Sequence, residues 1–279
     1  MAAEYPPVGI FDSGVGGLSV LRAIRRLIPA QPLVYVADQA HVPYGTREPE
    51  EVRIFSEAIT RYLLGEGARI IVVACNTASA AALAYLRQTF PQVPFVGMEP
   101  AVKPAAIQTR SGKVGVLATP STLQGALYAS VVRRFARGVL IYQDTCPGLV
   151  QQIENGNLGG AETRSILENA LCPMLKKGVD VIVLGCTHYP FVIPLIAEIV
   201  GEDVAIIDPA PAVARQTQRL LEERGWLADG RPLGSVRILT TGDSLALQGL
   251  LPRLVGFSGK VEALIWDAKS RQLKSGEIL

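Results

Sequence analysis

Short runs of aliphatic and β-branched residues alternate along this chain with longer segments whose apolar residues recur every three or four positions. The short runs read as strands: VGIF (8–11), LVYV (33–36), RIIVVA (69–74), FVGM (95–98), KVGVLA (113–118), GVLIYQ (138–143), DVIVLG (180–185), VAIID (204–208) and VRILTT (236–241). Helix-length segments lie between most of them, at 18–28, 50–64, 77–90, 122–136, 163–177 and 211–225. Strand–helix alternation with continuously apolar strands predicts an α/β fold, its mostly parallel sheets covered by helices on both faces.

The pattern repeats itself. VGIFDSG leads through intervening elements to IVVACNTAS, and VGVLATPST leads in the same way to IVLGCTHYP. Two similar units would therefore carry a thiol, Cys75 or Cys186, at the end of an equivalent strand. In open parallel sheets ligands sit outside the carboxyl ends of the strands, where helix N-termini offer free N–H groups. Polar residues collect at those ends: Asp12 and Ser13, Asn76 and Thr77, Thr119 and Thr122, Thr187 and His188. DSGVGG (12–17) matches neither G-x-G-x-x-G nor a Walker A loop, and reads as a tight turn into a helix. HVPYGT (41–46) reads as a loop whose backbone can approach a small substrate.

Composition narrows the classes. The chain has 279 residues, 49% hydrophobic and 19% charged, which is a globular balance with room for one large or two smaller domains. A formal net charge of +2 argues against nucleic acid or an anionic membrane as the main partner. The basic clusters near Arg25 and Arg133 read as helix ends facing water. No apolar stretch has the length of a membrane span and the start has no leader-like pattern, so a cytoplasmic protein is expected. The four cysteines lack CxxC spacing, as expected for reduced thiols.

Cysteine is also a common inert core residue. Cys172, inside a helical segment, and Cys146, in DTCPG, are read that way, and His41 as a loop residue. Cys75 and Cys186, paired by the repeat, are read as functional, with His188. Metal ligation by Cys186 and His188 is the weaker option, because a second close pair of ligands is missing. Asp12 is either a helix cap or a catalytic acid.

Two opposed thiols could take a proton from one face of a carbon and deliver another to the opposite face, inverting it. The α-hydrogen of an amino acid is a very weak acid, so the developing enediolate needs donors already in place; Ser13, Asn76, Thr77 and Thr187 are of that kind. A free thiol has a pKa of about 8.5, so each cysteine needs a neighbour that handles its proton. Asp12 beside Cys75 and His188 beside Cys186 are the candidates.

DSGVGG, ADxAxxPYG (37–45), ACNTAS and LGCTHYP, in this order, resemble the glutamate racemases of the cofactor-independent aspartate/glutamate racemase superfamily. The likeness runs from about Val8 to about Leu220; the remaining C-terminal part matches no motif. It implies two pseudo-symmetric α/β domains, residues 1–98 with 209–279 and residues 99–208, with the active site at their interface. It implies that Cys75 deprotonates D-glutamate and Cys186 L-glutamate, in a cell that uses D-glutamate for peptidoglycan. Asp12 and His188 would assist, as would Glu154, which stands on the resemblance alone. The implied substrate contacts are Asp12, Ser13, Tyr44, Gly45, Asn76, Thr77, Thr119, Thr122, Thr187 and His188. Neither cofactor nor metal is implied, and a homodimer is. An enzyme acting on another acid, such as aspartate, and a binding protein without turnover are the alternatives.

Overall fold

The computed structural model describes residues 5–230, 232–267 and 269–276. The chain divides into two compact units, Met1–Met98 with Ala210–Leu279, and Glu99–Pro209. The first unit opens with β1 (Val8–Asp12), α1 (Leu18–Leu27), β2 (Leu33–Ala37), α2 (Pro49–Gly65), β3 (Ile70–Val73), α3 (Asn76–Thr89) and β4 (Phe95–Gly97). The second holds α4 (Val102–Gln108), β5 (Lys113–Ala118), α5 (Pro120–Gln124), α6 (Ala126–Phe135), β6 (Leu140–Asp144), α7 (Leu149–Glu154), α8 (Ala161–Lys176), β7 (Val181–Gly185), α9 (Ile193–Val200) and β8 (Ala205–Ile207). The chain then returns to the first unit with α10 (Ala210–Glu223), β9 (Val236–Thr240), α11 (Ser244–Val255), β10 (Val261–Trp266) and β11 (Leu273–Ser275).

The first sheet has the order β11-β10-β9-β2-β1-β3-β4, and the second β6-β5-β7-β8. Among the described residues every pairing is parallel except β10 with β11. This is the α/β architecture that the strand–helix alternation predicts. All residues of β1, β2 and β3 are buried, as strands covered on both faces require. Helix α1 buries Leu18, Val20, Leu21 and Ile24 and carries Arg25 and Arg26 in its last turn, where the helix dipole favours cations.

The sequence repeat has a structural counterpart. β1 lies beside β3 with Val8 opposite Ile70, and β5 lies beside β7 with Val114 opposite Val181. In each unit the strand that ends at the thiol is therefore a direct neighbour of the unit's first strand.

Two expectations need correction, and a stretch left without a reading gains its elements. The segment 122–136 is not one helix: Gly125 takes an extended conformation (φ −68°, ψ 142°) and separates α5 from α6. β6 starts at Leu140 rather than at 138, because Gly138 has φ +77° and ends the preceding turn. The C-terminal part, which carries no recognised motif, supplies α11, β10 and β11 and widens the first sheet by its return. β10 is only half-buried, so its apolar residues are too diluted to read as a core strand.

Candidate active site

In the first unit the expected residues gather at the carboxyl ends of β2, β1 and β3. Asp12 ends β1 opposite Ala37 of β2, and the Ala74 N–H donates to the Phe11 carbonyl at 2.8 Å, which sets Cys75 beside the end of β1. Asp12 is fully buried and accepts the Ser13 N–H at 2.6 Å and the Ser13 hydroxyl at 3.2 Å. It does not cap α1, whose first turn follows Gly17 without a side-chain cap. A Cβ at Gly17 would come within 2.8 Å of the Asp12 Cβ and 2.9 Å of the Tyr35 hydroxyl, so only glycine lets the turn close over Asp12.

Cys75 caps the N-terminus of α3, and the Ala78 N–H donates to its sulfur at 3.4 Å. A helix N-terminus favours negative charge there. The next residue, Asn76, is buried, yet neither its Nδ2 nor its Oδ1 has a hydrogen-bond partner among the described residues. Buried polar groups are almost always paired, so an orphaned amide beside a thiol marks a place for a polar ligand. Thr77 is buried next to it, and so are Tyr44 and Gly45 of the 3₁₀ turn Tyr44–Thr46, which follows a cis Val42–Pro43 bond. Burial pushes the Tyr44 phenol well above its ordinary pKa, and the charges of Asp38, Cys75 and Asp12 push it the same way, which places all four groups in one neighbourhood.

In the second unit Cys186 follows β7. A Cβ on Gly185, just before it, would lie 2.7 Å from the Ala118 Cβ and 3.0 Å from the Leu117 carbonyl, so the close approach of β5 and β7 requires glycine. The Cys186 Sγ lies 3.7 Å from His188 Nδ1, and His188 Nε2 donates to Glu154 Oε1 at 2.6 Å. His188 and Glu154 are both buried, in an ion pair. Burial alone would pull the imidazole pKa down, but the hydrogen bonds and negative charges of Cys186 and Glu154 outweigh it and hold the pKa well above the ordinary histidine value. Geometry thus joins Glu154 to His188, although the sequence alone makes it a helix-surface residue. Thr119 caps α5, accepting the Thr122 N–H at 3.4 Å, with the two hydroxyls 3.0 Å apart. Thr187 is buried between Cys186 and His188.

All four cysteines are free. Cys146, after β6, has φ 44° and is buried; burial, then the charges of Asp144 and Cys186, push its thiol far up, so it stays protonated. Sequence reasoning passed over Asp38, a fully buried carboxylate directly after β2. It occupies the same kind of strand end as Asp12, and that position was the available signal. Among the described residues no group of three or more His, Cys, Asp or Glu side chains is placed to hold a metal ion, and no helix is long and apolar enough to cross a membrane.

A model of the Asp/Glu/hydantoin racemase family matches residues 9–217, and the chain belongs to that family. Among named relatives, it is 53% identical over 264 residues to the glutamate racemase of Pseudomonas paraeruginosa, covering 95% of this chain and 99% of that one. Its structure is similar to that of glutamate racemase isoform RacE1 from Bacillus anthracis, with a TM-score of 0.83 and 34% identity over 93% of this chain and 97% of that one. Similarity extends to Escherichia coli glutamate racemase in complex with L-glutamate and the activator UDP-MurNAc-Ala, at a TM-score of 0.82 and 32% identity, covering 93% of this chain and 98% of that one.

Proposed function

We infer that the chain is a glutamate racemase that interconverts L- and D-glutamate with two cysteine bases and supplies D-glutamate for peptidoglycan. The observation that carries this reading is the repeated buried thiol: each unit ends the neighbour of its first strand on a free cysteine, Cys75 or Cys186. Membership of the racemase family and 53% identity to a glutamate racemase support the choice of substrate.

In one direction the Cys75 thiolate takes the α-hydrogen of D-glutamate as a proton. The C–H bond breaks, an S–H bond forms, and the electron pair moves into the carboxylate as an enediolate. The Cys186 thiol then gives its proton to the opposite face and becomes a thiolate. L-glutamate runs the same steps backwards, starting at Cys186. Ser13, Tyr44, Gly45, Asn76, Thr77, Thr119, Thr122 and Thr187 hold the substrate and its developing charge. After each turnover the two sulfurs carry each other's former protonation state, and exchange with solvent restores them. Asp12 serves that exchange at Cys75, and His188 with Glu154 serves it at Cys186.

Incubating the pure protein with L-glutamate, with nothing added but buffer, tests the reading by chiral chromatography. D-glutamate accumulating to an equal mixture supports it. Turnover of aspartate in preference to glutamate would replace the substrate, and no turnover of either would leave a binding protein. A homodimer and a cytoplasmic location complete the reading; analytical ultracentrifugation checks the first.

A further inference from the structure

Four hydrogen-bond donors converge on the Asp38 carboxylate, which is fully buried. Oδ2 accepts the Tyr44 hydroxyl at 2.6 Å and His41 Nδ1 at 2.9 Å. Oδ1 accepts the Thr241 hydroxyl at 2.8 Å and the Trp266 indole N–H at 2.7 Å. Two donors come from the segment around Tyr44, and two from the C-terminal return that matches no motif. Sheet register brings them together. Ala37 of β2 lies opposite Thr240 of β9, and Thr240 lies opposite Ala263 of β10.

The same return grips the segment before Tyr44 a second time. The Ala40 N–H donates to the Thr241 hydroxyl at 2.9 Å. His41 stacks on Phe55, with centroids 3.9 Å apart, and meets the edge of Trp266 at 5.1 Å.

We propose that Trp266 and Thr241 are positioning residues for Tyr44: through Asp38 they fix the Tyr44 ring and the Tyr44–Gly45 backbone where substrate is bound. The proposal rests on the reading that Tyr44 and Gly45 line the glutamate site. A buried carboxylate keeps its orientation only while its donors hold it; on the Oδ1 side the Trp266 N–H and the Thr241 hydroxyl lie closest, with His41 Nδ1 farther off at 3.1 Å. Removing a donor there frees Asp38 to turn, and Tyr44 follows.

The test compares wild type with Trp266→Phe, Thr241→Val and Tyr44→Phe. Phenylalanine keeps an aromatic ring and deletes the N–H. Trp266 also borders an open cavity of about 330 Å³ with His41 and Phe55, so the smaller ring seals no new void. Loss of a hydrogen bond to a charged group predicts that KM for glutamate rises about ten-fold in Trp266→Phe and in Thr241→Val, with kcat changing less. In a Tyr44→Phe background, where the link to Asp38 is already cut, Trp266→Phe adds little. Amide hydrogen exchange over residues 40–47 quickens in Trp266→Phe.

A purely structural role would lower Tm while leaving KM and the exchange of residues 40–47 unchanged, and that result overturns the proposal. So does a full, additive effect of Trp266→Phe in the Tyr44→Phe background. If Tyr44→Phe raises KM and neither C-terminal variant does, the substrate reading stands and the positioning role falls. If no glutamate turns over at all, the substrate reading falls, and the exchange of residues 40–47 alone decides whether Trp266 and Thr241 hold the segment.

Discussion

Around Cys186 the polar groups form a chain of titratable side chains, from sulfur to imidazole to carboxylate, all buried. Around Cys75 fixed dipoles stand beside acids: the N–H of Ala78 at a helix start and the unpaired amide of Asn76, with the Asp12 carboxylate on the adjoining strand and Asp38 and the Tyr44 phenol in the same neighbourhood. The two thiols hold equivalent places in two sheets, yet Cys186 leads into an imidazole–carboxylate chain, whereas Cys75 meets a helix-start N–H and an orphaned amide. If the two thiols act as the paired bases proposed above, symmetric chemistry at one carbon runs in unlike surroundings. Proton exchange with solvent at the two sulfurs should therefore proceed at unequal rates.

The largest expected effect comes from removing a thiol. Cys75→Ala and Cys186→Ala should each lower interconversion by about a thousand-fold or more, since each removes a general acid–base from the reaction; a polarimetric assay in both directions reads the loss. Survival of turnover in either variant would deny that both sulfurs are needed.

Next comes the relay. Glu154→Gln should reduce kcat by about a hundred-fold, with unequal effects in the two directions. It also removes part of what holds the His188 pKa up. The alkaline limb of the kcat profile should therefore move to lower pH. Stability follows the same sign. A histidine whose folded pKa is raised contributes fully below its unfolded value of about 6.5 and loses that contribution as pH rises through the folded value. Thermal melts across pH should show the wild type losing this stability later on the alkaline side than Glu154→Gln does.

Asn76 sharpens the other half. Asn76→Ala should raise KM by about ten- to a hundred-fold, while the Tm of the free protein holds steady or rises, because the deleted amide has no partner to lose. A fall in Tm without a change in KM would make Asn76 structural.

The smallest effect lies at the other end of β7. Asp180 sits just before that strand and accepts the Thr109 hydroxyl at 2.5 Å and the N–H groups of Arg110 and Ser111 at 2.7 and 2.8 Å. Burial opposes its charge, but these bonds win and bring its pKa down to about 2. A depressed carboxylate contributes stability above its unfolded pKa of about 3.9 and loses it as pH falls through the folded value. Asp180→Asn should therefore lower Tm at neutral pH, with the gap to wild type closing in acid, and leave KM untouched.

Much of this was legible in the sequence because strands buried on both faces must be continuously apolar, and because ligands collect where such strands end. Asp12, Cys75, Asn76, Thr119 and Cys186 stand at those ends, so position alone nominates them. Glu154 did not yield to that logic. It lies on a six-residue helix, and only the fold brings its carboxylate onto His188. Strands β10 and β11 were missed for a related reason. β10 is half-buried and β11 has three residues, so neither carries a strong apolar period. Trp266 and Thr241 then meet Asp38 through sheet register across more than two hundred positions of chain, which no local pattern encodes.

The most direct test follows isotope at the α-carbon. In heavy water, with either enantiomer as the start and only the first few per cent converted, mass spectrometry of separated L- and D-glutamate reads where deuterium enters. Two bases require that the new enantiomer carries deuterium while the recovered starting enantiomer retains its hydrogen, in both directions. Equal labelling of both enantiomers, or a product that keeps the original hydrogen, would mean a single shared base and contradict the paired roles of Cys75 and Cys186.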